Sequence, residues 1–209
     1  MIEFSRSAPF AFSVRVDLAE PAVSGRVFEE TMAGAAALHP SEVVAVGNAA
    51  MLGPVGPVER AAPAEVVAHM DTNVVSAILF ASAFLAAFAE HRGAKTFVNI
   101  SSGAADRGLA GWSLYCASKA AMENYVRALA LEQERRPHPV RAFSVNPGVM
   151  DTAMQEEVRS ARSEDFPDVE HYVRLHREGR LADPNAMAAE VVALIASHPD
   201  PGETYPLRH

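Results

Sequence analysis

The sequence predicts an α/β domain on a doubly wound, mostly parallel sheet. Two patterns carry that prediction. Short runs rich in β-branched residues alternate with longer Ala/Leu-rich runs, the order expected of strand–helix–strand units. The strand runs are also apolar almost throughout, as in strands covered by helices on both faces. A chain of 209 residues that is 49% hydrophobic has the size and the core for a single domain, residues 1–209.

The strands are predicted at 14–16, 42–46, 96–100 and 140–145, with a last short one at 204–205. Helices are predicted at 22–38, 64–91, 113–135 and 184–197. Pro21 stands at the start of the first, a favoured early helical position. Asp183 followed by Pro184 opens the last, a capping residue and then proline. Loops of parallel sheets bind ligands beyond the carboxyl ends of the strands. The segments there are Gly47-Asn48-Ala49-Ala50, Ser101-Ser102-Gly103 and Asn146-Pro147-Gly148. All are small or polar, and turn chemistry alone accounts for each taken singly.

Composition narrows the function. Lys+Arg 18 against Asp+Glu 26 leaves a net charge of −8, which argues against nucleic acid as a partner. The single cysteine, Cys116, rules out an intrachain disulfide and fits the cytoplasm. The first seven residues lack a basic start followed by a long apolar run. The weakly polar stretch 74–89 is shorter than the ~20 residues a membrane span needs, so a buried helix and no membrane partner are expected. The histidines are scattered, and the five-residue spacing of His171 and His176 does not put both on one helix face. No metal site is predicted.

The chemistry centres on Tyr115-Cys116-Ala117-Ser118-Lys119. Tyr115 and Lys119 are four apart and share a helix face. An ammonium beside a phenol favours the phenolate and lowers a pKa that starts near ~10. Such a tyrosine exchanges a proton with a carbonyl or alcohol oxygen. An ordinary amphipathic pair has the same spacing. Ser102 directly follows a buried strand, and the linker to Tyr115 holds three glycines, Gly103, Gly108 and Gly111. Ser102 is therefore able to meet the same substrate oxygen. Asn73, at the border of an apolar helix face, needs partners for its amide. It is a candidate to hold a water linking Lys119 to solvent, and a surface-facing asparagine is the plain alternative.

Val98-Asn99-Ile100-Ser101-Ser102, Tyr115 through Lys119 with Ala120, and Val145-Asn146-Pro147-Gly148 with Thr152 together resemble the short-chain dehydrogenase/reductase family. The resemblance runs from about Val14 to the C-terminus. It implies a Rossmann-like fold and hydride transfer between NAD(P)H and a small-molecule carbonyl or alcohol. It implies Tyr115 as general acid/base, Lys119 as its partner and a ribose ligand, Ser102 as substrate-orienting residue and Asn73 as fourth member. For the cofactor it implies Asp17 and Leu18 near the adenine, Asn48, Ala49 and Ala50 in an Asn-Asn-Ala-Gly-like segment, and Pro147, Gly148, Val149 and Thr152 at the nicotinamide. It also implies a homo-oligomer through helices 64–91 and 113–135. Weaker similarity, at 147–154 and the stretch after it, points to the sepiapterin reductase and benzil reductase branch.

The family's glycine-rich phosphate turn, Thr-Gly-x-x-x-Gly-x-Gly between a first strand and a first helix, does not occur in the sequence. That turn lets backbone N–H groups meet a pyrophosphate at a helix N-terminus. The chain is thus expected to lack the first strand, glycine turn and first helix, a unit of ~30 or more residues. Arg6 then falls where relatives pair an arginine with a 2′-phosphate, favouring NADP(H) over NAD(H). The expected function is carbonyl reduction, with a mostly apolar ketone or diketone as substrate. A cofactor-poor pseudoenzyme or interaction protein on the same scaffold is the alternative.

Overall fold

A computed structural model describes residues 1–207. Its main sheet has four parallel strands side by side: β3 (Glu42–Gly47), β4 (Ala94–Ile100), β5 (Arg141–Asn146) and β6 (Thr204–Pro206). Two short strands, β1 (Glu3–Ser5) and β2 (Ser13–Arg15), pair in parallel with each other as a separate ribbon. The helices are α1 (Pro21–Ala36), α2 (Pro63–Met70), α3 (Ser76–Ala87), α4 (Ser113–Gln133), α5 (Ala153–Ser160), α6 (Val169–Arg177) and α7 (Pro184–Ala196).

Both faces of the sheet are covered, because alternate strand residues point to opposite sides. On one face Ala45, Phe97 and Ala142 pack against Phe28 of α1, Phe84 of α3 and Val126 of α4. On the other, Val98, Phe143 and Val145 pack against Val191, Leu194 and Ile195 of α7. The cover stops short of β3, where Val44 and Val46 stay 43% and 41% exposed. Ser76 Oγ donates to Leu18 O at 2.7 Å and lies 3.2 Å from Ser24 Oγ, so three segments of the first face are tied by buried hydroxyls.

The four predicted strands and the terminal one form with shifts of a residue or two. Strand β1 was not among the predicted elements, because Glu-Phe-Ser is too short and too polar to show a period. The helix predicted at 64–91 ends at Ala87 and is broken into α2 and α3 by a π-helical turn, Asp71–Val75. The whole segment Pro63–Ala87 is long and apolar enough, by length and composition, to cross a membrane. It therefore exceeds the shorter stretch on which the expectation of a buried helix rested. In the fold it packs on α1, α4 and β3. The arginine-rich stretch after Thr152 forms the amphipathic pair α5 and α6, which pack on each other.

Candidate active site

Parallel strands place their carboxyl ends along one rim. Here β3, β4 and β5 end side by side, bringing Asn48, Ala49 and Ala50 next to Ser101 and Ser102, and those next to Pro147 and Gly148. Gly148 takes a positive φ of 72°, a conformation cheap only for glycine, and its N–H donates to Asn146 Oδ1 at 3.1 Å. Helix α4 lies against this rim. Its residues four apart face the end of β4 and the two residues after it. Lys119 Nζ donates to Ile100 O at 2.8 Å. Ser101 Oγ donates to Glu123 Oε1 at 2.6 Å. Ser102 lies at the Tyr115 side chain. Glu123 is also paired with Arg127 at 3.0 Å, one helical turn further on.

The electrostatics of the pair differ from the expected ones. The Tyr115 pKa is raised, not lowered: burial is the largest cause, the Ser102 hydrogen bond opposes it, and Cys116 and Tyr172 add to the rise. Lys119 sits 5.7 Å from the Tyr115 ring centroid, with its ammonium engaged by Ile100 O. Burial lowers the Lys119 pKa to about 8, and the Glu123 carboxylate acts against that fall. Burial thus sets the direction of both shifts, disfavouring the phenolate of Tyr115 and the ammonium of Lys119 alike. Sequence analysis places Ser101 in the strand-end segment but not its bond to Glu123, and Glu123 is not among the sequence candidates. The signal that points to Glu123 is its spacing of four from Lys119, which continues the Tyr115–Lys119 face.

Asn73 is buried in the π-helical turn, but its amide is already fully partnered. Met51 N–H donates to Asn73 Oδ1 at 2.8 Å, and Asn73 Nδ2 donates to Met51 O at 2.8 Å. The side chain holds the loop after β3. Ser102 Oγ accepts from Ala104 N–H at 3.2 Å, capping a 3-10 turn. Thr152 stands at the N-cap of α5 without a side-chain cap bond. Val149 joins the apolar cluster above Tyr115, and Val149 O accepts from Ala182 N–H at 2.9 Å. Asp17 and Leu18 lie beyond β2. There the Asp17 carboxylate accepts from Ala19 N–H at 3.0 Å, and Leu18 packs on the core. Arg6 is exposed just past β1.

The Tyr115 rim is roofed by aromatic residues. Trp112 stacks on Phe166 with centroids 4.3 Å apart and planes 6° apart. It also lies 5.7 Å from the Tyr115 ring and 5.5 Å from the Tyr172 ring. Phe166 comes from the link between α5 and α6, so this lid closes over α4. Two contacts hold its edge: Gly56 N–H donates to Gly111 O at 2.9 Å, and Arg60 pairs with Asp165 at 2.8 Å.

Parallel strand ends, a buried Tyr–Lys pair on one helix face and an apolar roof meet at this rim. Residues 3–163 match the family model for short chain dehydrogenase. The chain belongs to the short-chain dehydrogenase family and is an oxidoreductase of that family. It is 32% identical over 194 residues to the benzil reductase ((S)-benzoin forming) of Bacillus subtilis, covering 93% of this chain and 80% of that one. It is 35% identical over 157 residues to the sepiapterin reductase of Bos taurus, covering 73% of this chain and 57% of that one. A Beutenbergia cavernae structure that holds NADP at low occupancy superposes with a TM-score of 0.76 at 25% identity, over 93% of this chain and 74% of that one.

Proposed function

We propose that this chain reduces a small, mostly apolar ketone or diketone with NAD(P)H, using Tyr115 as the general acid. The observation that carries the reading is the packing of α4 on the end of β4, where Ile100, Ser101 and Ser102 meet Lys119, Glu123 and Tyr115. A raised phenol pKa suits the role, because it keeps the Tyr115 proton in place at neutral pH until a substrate oxygen takes it. Ser102 Oγ donates to the same oxygen and steadies the charge that builds there. Lys119 favours the phenolate left behind.

The nicotinamide-ribose end of a cofactor suits what the rim offers: a buried ammonium, small residues at three strand ends, and a glycine whose backbone turns close to them. Ser102, Tyr115, Lys119, Asn48, Ala49, Ala50, Pro147, Gly148, Val149 and Thr152 would surround it. When bound it supplies the hydride. The pyrophosphate end finds no glycine turn in this sequence. Asp17 and Leu18 suit an adenine position beyond β2, and exposed Arg6 favours NADP(H). The aromatic roof and the resemblance to the benzil reductase of Bacillus subtilis support the apolar substrate. The single unpaired Cys116 suits a cytoplasmic enzyme. Exposed Val67, Val75 and Leu131 on the segments 64–91 and 113–135 support pairing of two copies there.

The test is titration of this chain with NADPH, followed by turnover of benzil. Micromolar binding is expected. Tyr115→Phe should cut turnover by about a hundredfold or more, with a far smaller change in NADPH affinity because the other residues around the cofactor remain. Absence of NADPH binding would overturn the reductase reading and favour the pseudoenzyme one.

A further inference from the structure

We propose that His69 is a positioning residue. It braces the loop after β3 and Asn73 against α4, and so sets the distance between the β3 rim and the Tyr115–Lys119 pair. The assignment to catalysis rests on the reductase reading above, while the brace itself is read from hydrogen bonds. His69, on α2, has no solvent exposure. Its Nδ1 is 2.7 Å from Gly53 O. A carbonyl only accepts, so Nδ1 carries the proton and Nε2 of the neutral ring accepts. Asn73 Nδ2 lies 3.0 Å from Nε2 and donates to it.

The other partners complete one consistent proton arrangement. Asn73 gives its second amide hydrogen to Met51 O and takes Met51 N–H on Oδ1. Ser118 Oγ donates to Tyr115 O at 2.9 Å, so it has no proton for His69 Nε2, 3.3 Å away; instead it accepts, at 3.3 Å, a share of the Asn73 Nδ2 hydrogen that also points at Nε2. A flipped Asn73 amide would face Oδ1 toward two acceptors, Met51 O and the Nε2 lone pair. The imidazole thus joins the loop after β3 at Gly53 to the π-helical turn at Asn73, and Asn73 Nδ2 carries the link on to α4 at Ser118, between Tyr115 and Lys119. Buried polar networks of this kind hold their members to one geometry when fully satisfied. The π-helical turn is where the brace is needed. Ser76 N–H reaches back to Asp71 O, so the helix is locally widened at the residue the brace holds.

Two isosteric variants separate the two ends of the ring. His69→Asn keeps an N–H near the Nδ1 position for Gly53 O but removes the acceptor for Asn73. His69→Gln keeps an acceptor near Nε2 but leaves Gly53 O without its donor. Hydrogen exchange in the full chain reads the brace directly. The Met51 amide should exchange about fivefold faster in His69→Asn, the worth of one hydrogen bond, and close to the wild-type rate in His69→Gln. The imidazole ¹⁵N shifts should show the Nδ1–H tautomer. In benzil reduction, His69→Asn should lose about fivefold in kcat with little change in the KM for NADPH. His69→Gln should recover most of that kcat while raising the KM for NADPH. An Nε2–H tautomer, or losses in both variants that only follow their fall in thermal stability, would overturn the proposal. A wild-type chain without turnover would instead defeat the reductase reading, and the exchange and tautomer measurements would still decide the brace.

Discussion

Lys119→Met should change how stability depends on pH, by an amount that follows from burial of the ammonium. Lys119 is only 7% exposed, and its pKa is lowered from 10.5 to about 8. Between those values the unfolded chain keeps the proton that the folded chain has released. Stability therefore rises with pH in that window. The full displacement is worth roughly 3 kcal/mol, most of it gained between pH 8 and 10. Above pH 10 the sign reverses for the tyrosines, since Tyr115, Tyr125 and Tyr172 hold their protons longer when folded. Lys95, also lowered by burial, contributes equally to wild type and variant, so it cancels in their difference. The assay is urea unfolding of both proteins at pH 7.5, 8.5 and 9.5. The wild type should gain on the variant as pH rises, its stability climbing by roughly 2 kcal/mol more across this range. Equal slopes for the two proteins would refute a buried, depressed ammonium at this position.

Gly111→Ala should destabilise the fold by about 3 kcal/mol or more, measured by thermal unfolding. A Cβ there would lie 2.1 Å from Asp165 O, at a φ of 85°. Phe166→Ala should cost about 3–5 kcal/mol by the same measurement, because the ring is fully buried and stacked on Trp112. Arg60→Ala should cost less than about 1 kcal/mol, since the arginine side chain of its ion pair is 65% exposed.

The parts of the fold that show in the sequence are those with a strong period or a capping residue. Apolar runs such as 96–100 sit in the middle of the sheet, and Asp183 accepts from Asn185 N–H at 3.1 Å at the start of α7, as a capping residue should. Strand β1 pairs through backbone atoms over three residues, so its side chains carry no pattern. Helices α5 and α6 read as charged surface because their apolar residues, Val158, Val169, Tyr172 and Leu175, are few and widely spaced, although each is buried. In the site, Tyr115 and Lys119 are legible because local spacing places them on one face. The direction of the Tyr115 pKa is not legible, because it depends on burial beneath residues far away in sequence. His69 is silent for the same reason: its neighbours Gly53, Asn73 and Ser118 come from three different segments.

The stacking of Trp112 on Phe166 has a spectroscopic consequence. The chain contains one tryptophan, and it lies beneath the lid, buried and 4.3 Å from the lid's own ring. Excited at the red edge, where the four tyrosines do not absorb, the protein therefore emits from a single fluorophore at the mouth of the proposed pocket. A blue-shifted emission marks the closed lid, and a red shift marks water reaching the indole. Opening of the roof is thus visible in the unlabelled protein, without any added probe.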